Sequence, residues 1–108
     1  MRVIGNAPPV CYFLVMARAI AMMEAVHHLE RGDWQAAHAL VDDDGSPLGC
    51  WAHGIVHLLE GDVTNARYWY QRMQRPLPRA SEVRAEIAAL AAAAAAAPAA
   101  AHEPSSVR

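Results

Sequence analysis

Four side chains carry most of the chemistry this sequence can offer: Glu24, His28, His53 and His57. The stretch "HGIVHLLEGDVTNARYWYQR" (residues 53–72) sets two histidines four apart in a run that stays apolar and uncharged until Glu60. "EAVHH" sets Glu24 and His28 at the same interval. Residues four apart share one face of a helix. Three imidazoles and a carboxylate brought together make a competent site for a divalent metal such as zinc, or for iron with an open position. His27, His38, Cys50 and Glu60 lie near enough in sequence to act as outer partners or replacement ligands.

Two other chemistries suit the same residues. A buried Glu–His pair can satisfy itself by hydrogen bonding and form a polar core without metal. An imidazole with a displaced pKa can also act as a general acid or base. Zinc-protease chemistry is excluded, because the signature needs a glutamate directly after the first histidine of the pair and Gly54 stands there. No glycine-rich phosphate loop, serine elbow or cofactor fingerprint is present. The aspartates of "VDDDGSPLG" lack the alternating ligands and closing glutamate of a calcium loop, and read as a helix end and turn.

These residues must be held by helices. Gly32-Asp33 and Gly61-Asp62 each stop one helix and start another, glycine taking the left-handed cap and aspartate capping the next helix. The resulting expectation is a loop over residues 1–9, helices from Val10 to about Arg31, over "WQAAHALV", from near Leu48 through Glu60, and over "VTNARYWYQRMQR". Pro76 and Pro78 then break the chain, and "RASEVRAEIAALAAAAAAA" forms a last helix entered at Ser81, ending near residue 97 before a disordered tail over 98–108.

"HLERGDWQAAHAL" and "HLLEGDVTNARYW" superimpose without a gap on their GD corners, aligning His28 with His57, Ala37 with Ala66 and, one helical turn back, Glu24 with His53. Each copy reads as an antiparallel helix pair, one unit of an α-solenoid. The second copy resembles a tetratricopeptide repeat, with Gly54, Ala66, Tyr70 and Pro78 at that family's small, alanine, aromatic and proline positions around Gly61. The first copy keeps Ala25, Gly32 and Ala37 but has Val41 and Asp44 at positions where that family prefers other residues, and the repeat is shorter than the roughly 34 residues of the standard unit. "GDVTNARYWYQR" is also similar to segments of uncharacterised bacterial proteins. The tetratricopeptide resemblance implies an all-α, short solenoid of two helical hairpins over residues 10–78, followed by the C-terminal alanine-rich helix. It implies a non-enzymatic protein–protein interaction or self-association module without catalytic residues. It also implies that Glu24, His28, His53 and His57 occupy inward sites that are normally apolar, so that stacking the two leading helices gathers all four.

On the same resemblance, Met22, Val26, Leu29, Leu48, Trp51, Ile55, Leu58 and Leu59 line a concave apolar groove. A peptide or protein, a second copy forming a homodimer, or the alanine helix would fill it, and the last two need no other molecule. The chain is equally consistent with being part of a larger repeat protein.

Composition narrows the remaining classes. The net charge of −2 does not suit a general polyanion binder. Eight acids and one base lie between Glu24 and Asp62, and five arginines and one acid between Arg67 and Arg84. Such asymmetry suits self-pairing or an oriented partner. "RYWYQRMQR" mixes arginines with aromatics, but Trp69 and Tyr70 are expected to pack and Arg67, Arg72 and Arg75 to form a solvated stripe, so no nucleic acid is expected. The apolar run from Val10 to Ala17 is interrupted at Arg18, well short of the roughly 20 residues of a membrane span. A reduced, cytoplasmic protein with Cys11 and Cys50 buried as thiols is expected.

Overall fold

The computed structural model describes the backbone of residues 9–102 and the side chains of residues 12–96. Of the N-terminal loop expected over residues 1–9, residues 1–8 lie outside that range, as do the side chain of Cys11 and residues 103–108, while Pro9 already belongs to the first helix. The described chain is all-α, with no strand: α1 (Pro9–Glu30), α2 (Trp34–Val41), α3 (Pro47–Glu60), α4 (Val63–Arg72) and α5 (Val83–His102), the last preceded by a 3₁₀ turn at Ala80–Glu82.

The two GD corners are built alike. Gly32 and Gly61 take left-handed backbone angles, φ 78° and 91°, that cost glycine nothing. At the first corner the Gly32 N–H donates to the Leu29 carbonyl and the Asp33 N–H to that of His28. At the second, Gly61 donates to Leu58 and Asp62 to His57. Both satisfy the last carbonyls of the preceding helix in the same pattern. Asp33 and Asp62 then accept from the N–H groups of Ala36 and Asn65, capping α2 and α4. Ser46 caps α3 by accepting from Gly49, with Pro47 in the first turn.

α3 is the central element. It packs on α2 and α4, its neighbours in sequence, and also on α1 and α5. Ala52 through His57 are buried without a break. Its closest approach is to α4, where a Cβ on Gly54 would meet ring carbons of Tyr70 at 2.7 and 2.8 Å. Tyr70 is itself fully buried. Its hydroxyl donates to Glu86 Oε1 over 2.8 Å, and the Trp51 indole donates to the same oxygen over 3.0 Å. Arg75 closes the network with two 3.2 Å bonds to Glu86 while its guanidinium lies 3.9 Å from the centre of the Trp51 ring. Burial pushes the Glu86 carboxyl up, but the bonds from Arg75, Tyr70 and Trp51 outweigh it and hold the group below its ordinary value. One carboxylate thus ties α3, α4 and α5 together.

Two expectations are corrected and a third is narrowed. α4 ends at Arg72 rather than Arg75, because Gln74 adopts φ 56° and turns Arg75 back toward Trp51 and Glu86. The last helix starts at Val83 after a 3₁₀ turn, in which the Arg79 N–H donates to Glu82, and runs through Pro98 to His102. Pro98 forfeits one backbone hydrogen bond inside this helix, and the alanines on either side, the strongest helix formers, carry the helix through it. The apolar groove is not open. Met22, Val26, Leu29 and Ile55 are buried in one core with Ile87, Leu90 and Ala94 of α5, and Leu48, Trp51, Leu58 and Leu59 pack half-buried against it. Of the three occupants expected, it is the chain's own α5 that packs on this face.

Replacing Gly54 by alanine tests the α3–α4 contact. The added methyl meets a buried ring tethered to Glu86, so overpacking of about 1–3 kcal/mol outweighs a helix-propensity gain of up to about 1 kcal/mol. Urea denaturation of Gly54→Ala is expected to show a net loss of stability; an unchanged or raised midpoint contradicts the contact.

Candidate histidine-rich metal centre

The face of α3 opposite Glu86 carries His53 and His57, both buried at 6% and 8% exposure. α2 and α4 flank it. From α2, His38 brings Nε2 to 3.1 Å from Nε2 of His53. From α4, Trp69 lies flat on the His53 ring, with centroids 4.1 Å apart and planes 12° from parallel. His57 stacks on the other side of the pair, its centroid 5.1 Å from that of His53 and 5.9 Å from that of His38. One ligand nitrogen from each histidine can be chosen so that all lie within 4.8 Å of one another.

A carboxylate orients one of the outer rings, and a second lies near the other. Nδ1 of His57 is 2.8 Å from Oε1 of Glu60. An N–H donated there leaves Nε2 of His57 with its lone pair free, the arrangement by which carboxylates fix metal-ligating histidines. Asp42, one turn beyond His38, places Oδ1 3.7 Å from its Nε2. His57, Glu60 and Asp62 form a second, more exposed group with ligand atoms equally close.

Burial, reinforced by repulsion from His38 and His57 and opposed by Asp42, lowers the His53 pKa from 6.5 to about 4. His53 is therefore neutral at pH 7. Between the facing Nε2 atoms of His38 and His53 only one proton can reside, so one ring donates and the other accepts. That pair is the geometry a cation can take over. Two imidazole nitrogens on a tetrahedral ion at ~2.0–2.1 Å stand about 3.3 Å apart. The observed 3.1 Å is close to it. The widest separation, at most 4.8 Å, has to close by no more than about 1.5 Å to reach the same spacing.

Two of the four ligands expected from sequence are elsewhere. Glu24 is exposed on α1. His28 sits in the first GD corner, where its Nδ1 accepts from Arg31 Nη2 over 3.0 Å and lies 3.7 Å from Asp33. The reason is packing order. α2 packs against both α1 and α3, and the histidine-bearing face of α3 meets α2 rather than the equivalent face of α1. Of the residues expected as outer partners, His38 is a central member and Glu60 orients His57. His27 pairs with Glu30 on the surface, and the buried Cys50 thiol donates to the Gly45 carbonyl at 3.8 Å. Trp69 packs as expected, and its role as a platform for His53 was not visible in the sequence. His38 was hard to place because the repeat aligns it with Arg67, which gives it no counterpart.

No protein-family model, curated protein or solved structure matches the chain. Among the described residues no helix is long and apolar enough to cross a membrane.

The His53 environment makes stability depend on pH with a definite sign. The unfolded chain binds a proton at His53 below its ordinary value of 6.5, whereas the folded chain resists until about 4. Acidification through that window therefore draws protons to the unfolded state and removes stability. Denaturation midpoints measured in the presence of a chelator are expected to fall steadily between these two pH values, and His53→Phe to flatten the slope. A wild-type midpoint that is constant across the window contradicts the buried, neutral imidazole.

Proposed function

We propose that this protein is a short helical-repeat protein of tetratricopeptide-like type that binds a divalent transition metal between α2 and α3. His38, His53 and His57 are the ligands, and zinc is the best chemical match. The observation that carries this reading is the gathering of three imidazole nitrogens, two from buried rings, within 4.8 Å of one another, with Glu60 holding Nδ1 of His57. The matched corners at Gly32 and Gly61 support the repeat.

The donor set favours this class of ion. Neutral imidazole suits zinc, copper, nickel and iron, while the hard cations calcium and magnesium need oxygen ligands. Burial, with repulsion from the two neighbouring rings, disfavours the protonated form of His53, so a cation replaces a proton that this ring holds poorly. The 24–62 segment, with its excess of acids, offsets the added charge. Three protein ligands leave a further position, and the half-buried side chain of His38 gives that position a solvent side. An ion here would clamp α2 onto α3, and would polarise whatever small ligand or water took the open position.

Titration of untagged protein with zinc, followed by calorimetry and thermal melting, tests the proposal. One equivalent is expected to bind, with a stabilisation of about 2.7 kcal/mol when free zinc is a hundredfold above the dissociation constant. His53→Ala and His38→Ala are expected to abolish that binding, Glu60→Gln to weaken it about 10–100-fold, and Glu24→Ala and His28→Ala to leave it unchanged. Absent heat together with an unshifted melt overturns the metal reading and leaves a self-satisfied polar core. Equal losses in the Glu24 and His28 variants would return the site to the leading helices.

A further inference from the structure

The other unaccounted feature is the first half of α1. Phe13, Leu14, Val15, Met16, Ile20 and Met23 are all exposed, Phe13 at 71%. They surround the helix, and burial begins only at Met22. A mismatch of lengths produces this. With 22 residues α1 is about 33 Å long, while the eight residues of α2 span about 12 Å. α2 therefore covers only the later turns of α1. Leu29 at the end of α1 and Val83 and Ile87 at the start of α5 line one cavity, so α5 runs back along α1 and offers its first turns little beyond alanine.

We propose that this overhanging half of α1 is a homodimer interface, its occupant the same segment of a second copy. Three observations select that occupant. The patch is self-similar in chemistry: Arg18 is its one charge between residues 12 and 23, and it is directed at Asp44, 3.8 Å away. An apolar partner surface is therefore required. Elsewhere among the described side chains only Val63 and Tyr68 are large, apolar and exposed, so a contact between two copies pairs this patch with itself, as a two-fold interface demands. Area is the third. Phe13, Met16, Ile20 and Met23 share one face of the helix, and at roughly 150–250 Å² for a fully exposed large side chain their exposed parts reach about 400 Å², about half of the ~800 Å² per partner of a standard interface. Polar rim and alanine surface from α5 would supply the remainder.

The interface joins protomers through α1 and leaves the α2–α3 metal site outside it, so the two proposals stand or fall separately. Sedimentation equilibrium of the full, untagged chain in chelator tests the dimer without any contribution from metal. The wild type is expected to be dimeric at micromolar concentration. Phe13→Glu and Met16→Glu, both at exposed positions, are each expected to raise the dissociation constant tenfold or more with helix content by circular dichroism unchanged, and Tyr68→Glu to leave it as it was. A wild type that stays monomeric, a Phe13→Glu dimer of undiminished affinity, or equal disruption by Tyr68→Glu overturns the proposal. Flotation of monomer with phosphatidylcholine vesicles would overturn it in favour of a lipid surface.

Discussion

The contact of Gly54 with the ring of Tyr70 is the constraint on which the arrangement depends. A side chain at position 54 would hold α3 and α4 apart, and with none there the helices close until ring meets backbone. Two consequences follow on opposite sides of α3. Tyr70 reaches Glu86, which also collects Trp51 and Arg75 and so fastens α5 across the helical hairpins. Trp69, the residue before it, is pressed flat on His53 and confines that ring to one orientation. Burial pushes the Tyr70 phenol well above its ordinary value, so it stays a hydrogen-bond donor to the Glu86 carboxylate over the working range of pH.

The helices were legible because their stops are local chemistry. Gly-Asp corners need only a left-handed residue and a capping carboxylate, and both are written in adjacent positions. α2 lies where "WQAAHALV" predicts it, and α3 begins within a residue of its expected start. The errors fall where tertiary contacts decide. Arg75 leaves α4 because Glu86, eleven residues on, binds it twice, and a non-glycine residue accepts a left-handed backbone to allow this. The groove was a fair reading of Met22, Val26, Leu29 and Ile55 as one apolar face. What periodicity could not say is which of the three expected occupants fills it, and the alanine-rich helix does so with only Ile87 and Leu90 as large side chains.

For the histidines, spacing found half of the cluster. His53 and His57 share a face because four residues nearly complete a turn, and that inference is independent of the rest of the chain. Adding Glu24 and His28 required a second step, that the two leading helices stack with equivalent faces together. The corners are equivalent, but equivalent corners do not dictate which helix lies against which face. α2 supplies His38 instead, and His28 stays with its own corner in contact with Arg31 and Asp33. Pairing between helices of different repeats is a property of the packed chain and leaves no periodic trace.

What remains is a small helical body with a buried, proton-averse imidazole at its centre, two further imidazoles beside it and Glu60 behind one of them. A divalent ion suits a ring that stays neutral and keeps a lone pair to donate. X-ray absorption at the zinc edge of the loaded, untagged protein examines this most directly. The account predicts three nitrogen neighbours at ~2.0–2.1 Å, with the outer-shell scattering of imidazole rings. A shell of oxygens alone, without an imidazole signature, would contradict it.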